Sequence, residues 1–167
     1  MTDFEDFYGR IPKSLIIGSL AFAMLLDFIP LPQNLFFWLP DLTALVLLYW
    51  AINRPRTIGI GSAFICGLLI DAGTAAPLGM HALAYMAMIF VTQQYQRQIR
   101  LHSYDFQAVS VLAALAGSQA VLMLVRLFDS HRLGGWLNFT GALTGALLWP
   151  LLNKIMLFIL NLISQRR

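Results

Sequence analysis

Apolar residues run in blocks at 14–26, 42–52, 58–70, 78–91, 108–125 and 141–160, and the polar connectors between them are too short to fold alone. Six such blocks predict a polytopic membrane protein of the all-α class, a bundle of six transmembrane helices. The expected helices cover about 14–29, 41–52, 57–70, 77–95, 106–127 and 136–163, and together they make one integral membrane domain over residues 1–167.

Punctuation residues set these boundaries. Pro30-Leu31-Pro32 opposes continuation of the first helix, and Phe36, Phe37 and Trp38 form an aromatic cluster suited to a membrane interface. Asp41, after Pro40, is placed to cap the second helix. That helix ends at Asn53-Arg54-Pro55-Arg56, where the cations complement its C-terminal dipole and Pro55 suits the start of the next helix. In the third helix Gly59, Ala63 and Gly67 recur every four residues, a spacing that permits close helix contact. TQQYQRQIRLHSY reads as the longest polar connector. The last helix carries Gly141 and Gly145 four apart and a kink expected at Pro150.

Composition agrees with the pattern: 59% of the 167 residues are hydrophobic and 11% are charged, against about a quarter charged in soluble domains. The first apolar run lacks a small-residue cleavage site and reads as a retained helix. Cys66 is the single cysteine, which excludes an intramolecular disulfide and a cysteine-based metal site. The net charge of +3 does not indicate nucleic acid, because the arginines lie in short pairs at segment ends. With six spans, Arg10, Lys13, Arg54, Arg56, Arg97, Arg100, Arg166 and Arg167 fall on the side of the termini, against Arg126 and Arg132 opposite. The positive-inside rule makes the N- and C-termini cytoplasmic. One alternative stays open. At 1.5 Å per residue, 57–70 rises only about 21 Å, short of a roughly 30 Å hydrocarbon core, so the third and fourth segments either span or form a re-entrant hairpin.

Asp27, Asp41 and Asp71 all fall toward the outer face and are candidates to converge. An acid at membrane depth is often functional; the structural alternatives are a cap at Asp41, a turn role for Asp71 before Gly73 and Thr74, and an interhelical bond from Asp27. His81, beyond Pro77 and Gly79, is placed to bond Asp71 across the connection, or to form half of a metal or proton site, for which two ligands are insufficient. Lys154 is expected to snorkel. No nucleophile elbow, zinc-protease motif, phosphate-cradling loop or cysteine pair occurs, so no enzyme activity, cofactor or metal is expected, and Asp71 with His81 is the one catalytic candidate.

The run LLYWA, the Arg-Pro turn, Gly-x-Gly-x-Ala-Phe, GLLxD and PLGxHAL follow in order between Asp41 and Tyr85. This series resembles the rod shape-determining protein MreD family of bacteria. The resemblance implies a non-enzymatic scaffold of the inner membrane that supports rod shape and lateral peptidoglycan synthesis. Its implied partners are an MreC-type single-span protein, the MreB filament, a RodA-type glycan polymerase, a class B penicillin-binding protein and membrane lipid, with no nucleic acid. It also implies a fold similar to the substrate-binding subunits of energy-coupling-factor transporters, and the family pattern falls on Pro40, Asp41, Arg54, Pro55, Gly61, Gly67, Asp71, Pro77, Gly79 and His81. Asp27, Asp41, Arg54, Gly67, Asp71, Pro77, Gly79 and His81 are the candidate partner platform. The alternative function is a vitamin-binding transporter subunit, with the same acids around a buried ligand.

Overall fold

A computed structural model describes residues 12–30, 38–130 and 139–165. Within them are six helices and no strand: α1 (Lys13–Asp27), α2 (Leu42–Asn53), α3 (Ile60–Thr74), α4 (Met80–Leu101), α5 (Tyr104–Ser130) and α6 (Thr140–Gln165). Two of them are long and apolar enough to cross a membrane, over Asp105–Phe128 and Thr140–Leu162. Phe36 and Phe37 of the expected aromatic cluster lie outside the described residues, and Trp38 is exposed.

The short helix α2 is the centre of the bundle. Its sequence LTALVLLYWAIN has no polar face, and a helix apolar all round must be buried all round. Thr43 to Ile52 are accordingly all buried. At 12 residues α2 is near the length at which an isolated helix is marginal, so its stability comes from its neighbours. α1 and α4 pack along it, and α5 and α6 touch it. Trp50 donates its ring N–H to Ser19 Oγ of α1 at 2.8 Å, while Tyr49 stands between Trp50 and Trp149 of α6, with ring centroids 5.1 and 6.3 Å away. α3, α4, α5 and α6 pack successively, α3 resting on α4.

Gly67 sets the α3–α4 spacing. A Cβ there would overlap the Ala82 backbone and approach the His81 carbonyl carbon to 2.7 Å, so the small-residue stripe serves intramolecular contact. Gly145 does the same on α6, where a Cβ would meet Leu115 Cδ1 at 2.7 Å.

Several boundaries differ from the sequence expectation. The connector after Val91 is helical to Leu101; Gln and Arg are good helix formers, and Thr92 and Ile99 keep one face buried. α3 runs from residue 60 to 74 instead of 57 to 70, because the Arg54 carbonyl accepts from the Thr57 and Ile58 amides and holds a turn there. Asp71 is consequently in the last helical turn, with Ala75 left-handed at φ 53° after it. α4 begins at Met80, not 77, since Gly79 adopts φ +97° and the Pro77 carbonyl accepts from Met80. α1 ends at Asp27 rather than 29, while α6 runs through Pro150 as the expected helix does.

The outer surface is strongly apolar: Ile17, Phe22, Val109, Leu147 and Phe158 are each more than 60% exposed. Replacing Gly67 by Ala should destabilise the purified protein by about 1–3 kcal/mol, the usual penalty for overpacking. Gly61→Ala, where a Cβ meets nothing, should be neutral or stabilising by up to about 1 kcal/mol. Detergent thermal unfolding followed by size-exclusion recovery reads both; equal melting of the two variants would contradict the close-contact role.

Candidate functional site

The three buried or half-buried aspartates meet at one end of the bundle, and each is used at the start of a helix. The first four amides of a helix have no partner within it, a serious defect where water is absent. At α2 the deficit is met in full. Asp27, at the C-terminus of α1, accepts from the Leu42 amide at 3.2 Å, the Thr43 amide at 2.8 Å and the Thr43 hydroxyl at 2.6 Å. Asp41, the residue before α2, accepts from the Ala44 amide at 2.8 Å through its side chain and from the Leu45 amide at 3.1 Å through its carbonyl.

At α4 the same task falls to a residue of the preceding helix. Asp71 is fully buried and accepts from the Gly79 amide at 2.8 Å, the His81 amide at 2.9 Å and, at the limit of contact, the Ala82 amide at 3.5 Å. His81 Nδ1 lies 2.7 Å from the same carboxylate; a carboxylate only accepts, which assigns the proton to Nδ1. Gly79 is required here because its left-handed φ turns the amide toward Asp71. The sequence expectation of a local turn role for Asp71 is corrected: its side chain satisfies donors eight to eleven residues on.

Tyr85, one turn after His81, links the two caps. Its hydroxyl donates to Asp41 at 2.6 Å, and its ring stands edge-on to the His81 ring at 6.0 Å. A path therefore runs from α3 through Asp71, His81 and Tyr85 to Asp41 at the start of α2, where Asp27 of α1 holds the adjacent Leu42 and Thr43 amides. Tyr85 and Thr43 were not singled out from sequence; the signals were the i+4 spacing of Tyr85 from His81 and the position of Thr43 in the first turn of α2.

Beside this path lies a cavity of about 150 Å³ whose walls include Asp27, Asp41, His81, Tyr85, Gln119 and Arg126. Ile70 and Thr74 of α3 and Gly141 of α6 also line it, so the end of every helix pair reaches this level. Arg54 does not belong to the site: it follows α2 at the opposite, basic end. Gly67 lies a turn below, against Ala82, and Pro77 is an exposed part of the α3–α4 turn. Among the described residues no group of three His, Cys, Asp or Glu side chains is placed to hold a metal.

An all-helical bundle with an apolar exterior, whose carboxylates serve helix ends, defines the class as a helical membrane protein. The chain belongs to the MreD family: the family described as rod shape-determining protein MreD matches residues 9–162. It is 28% identical over 135 residues to the rod shape-determining protein MreD of Haemophilus influenzae, covering 81% of this chain and 83% of that protein. No solved structure matches the chain.

Asp71→Asn retains size but turns an amide group toward N–H donors, and should lower stability by about 1–3 kcal/mol. Tyr85→Phe removes one hydrogen bond and should lower it by about 1 kcal/mol. Thermal unfolding in detergent reads the order of the two, and an Asp71→Asn protein as stable as the parent would contradict the capping role.

Proposed function

We propose that the protein is a six-span scaffold of the bacterial inner membrane that takes part in determining rod shape. Its termini are cytoplasmic, and it recognises an MreC-type single-span protein by lateral helix packing. Through that partner it supports lateral peptidoglycan synthesis alongside an MreB filament, a RodA-type polymerase and a class B penicillin-binding protein. The observation that carries this reading, beside family membership, is that Asp27, Asp41, Asp71 and His81 are all engaged with helix ends. Such groups fix the shape of a platform. The chemistry of turnover would call on them differently, with an acid or base turned toward a substrate.

The re-entrant alternative is less well supported than the span. Ile70 and Thr74 line the same cavity as Leu26, Pro40 and Gly141, so α3 travels from the basic end of the bundle to the acidic end. Its 15 residues rise about 22 Å, and local bilayer thinning accommodates the shortfall. The vitamin-binding alternative meets a volume limit: about 150 Å³ is below the roughly 300 Å³ at which pockets for such ligands begin.

Mild-detergent purification of the tagged protein from its native membrane should recover a single-span MreC-type protein in stoichiometric amount. Recovery of transporter ATPases with a bound vitamin-like molecule would overturn the proposal. Topology is read separately. Thr74→Cys, in a Cys66→Ser background, should react with an impermeant maleimide added outside cells; protection there with reaction from inside would favour the re-entrant hairpin.

A further inference from the structure

The basic end of the bundle is not level. Gln93 of α4 donates its side-chain amide to the Ile58 carbonyl at 3.2 Å, which fixes where along α4 the start of α3 falls. α4 nevertheless continues to Leu101, about 12 Å further at 1.5 Å per residue. The end of α4 and the opening of α5 therefore stand beyond the connection of residues 54–59. Among the described residues this makes a step, with that connection as its floor and α4 as its wall.

Residues three, four and seven apart share a helix face. Gln93, Arg97 and Arg100 thus form one line rising from Ile58 along the wall, and Phe90 extends the same line toward the middle of the bundle. Arg97 and Arg100 are exposed, as is Arg56 on the floor. Phe90 and Val91 are each 52% exposed and Tyr95 55%. Along this line the surface passes from the Phe90 ring through the Gln93 amide to the guanidinium groups of Arg97 and Arg100. Among the described residues this end carries Lys13, Arg56, Arg97 and Arg100 beside Asp105.

We propose that this step holds the phosphate of an anionic phospholipid headgroup, gripped by Arg97 and Arg100 with Arg56 below, while its acyl chains descend past Phe90. The continuity of cations and the exposed Phe90 ring on one face selects an amphiphile. A soluble anion makes no use of Phe90, and an acidic protein segment would have to displace lipid to reach it. Guanidinium is suited to the task because its fork matches phosphate oxygens and is weakly hydrated. The inference rests on the multi-span reading proposed above and adds to it a lipid-dependent fixed point on the cytoplasmic side.

The test is native mass spectrometry of the full-length protein in neutral detergent, offered equal phosphatidylglycerol and phosphatidylcholine of matched chains. The parent should retain phosphatidylglycerol preferentially. Arg97→Gln and Arg100→Gln should each weaken that retention roughly fivefold, with the double variant losing the preference. Lys154→Gln, an exposed cation on α6, should leave it unchanged. Unaltered preference in the double variant, or equal loss in Lys154→Gln, overturns the site. Inorganic phosphate binding with the same arginine dependence and no acyl chain overturns its assignment to lipid. Ser103→Cys in the Cys66→Ser background, labelled in sealed vesicles of known orientation, reports sidedness independently. Labelling from outside would contradict the topology while leaving the detergent result standing.

Discussion

A helix whose first turn is buried holds amide donors that water cannot reach, and the fold depends on how they are satisfied. Three carboxylates do this work. Asp27 and Asp41 between them meet the donors of Leu42, Thr43 and Ala44, and Asp71 meets those of Gly79 and His81. Bonds to a charged acceptor are worth about 1.5–3 kcal/mol each, and an unmet donor in a buried place costs a comparable amount. The aspartates are also long-range staples: Asp27 joins α1 to α2 and Asp71 joins α3 to α4, while Tyr85 ties α4 back to Asp41.

This arrangement explains why so short and uniformly apolar a helix as α2 occupies the centre. Its N-terminus is anchored by side chains and its entire surface is covered by α1, α4, α5 and α6. The outer helices expose leucine, isoleucine and phenylalanine side chains, which form the exterior. The polar bonds gather at the acidic end, and apolar helix faces surround the flank. In the scaffold reading proposed above, a partner with a membrane helix would meet these faces without either protein exposing a polar group. In the scaffold reading, the internal hydrogen bonds therefore determine the shape that the flank presents.

Much of this was legible in the sequence, and the misses have physical causes. Apolar blocks located all six helices, since burial in lipid or core demands them, and the Asp41 cap and the Asp71–His81 bond followed from spacing alone. Polarity misread residues 92–101, because a helix needs an apolar stripe only where it is packed, and Thr92 and Ile99 suffice there. Asp71 was assigned to a turn because Gly73 and Thr74 resemble one; the helix continues through Gly73, where the Phe28 ring fills the space a Cβ would take. Neither the reach of Asp27 to Thr43 nor that of Tyr85 to Asp41 was readable, since both depend on helix packing across the bundle. Arg54 and Gly67 share a sequence pattern with the acids but not a location.

The central claim is that carboxylates from neighbouring positions close the amide deficit at the starts of α2 and α4. Hydrogen–deuterium exchange of the protein in lipid nanodiscs, resolved over residues 41–45 and 79–83, tests it most directly. The account predicts that these first-turn amides exchange as slowly as those in the middle of α2, and that Asp71→Asn accelerates exchange at residues 79–82 while leaving 41–45 protected. Rapid exchange at both helix starts in the parent protein would contradict it.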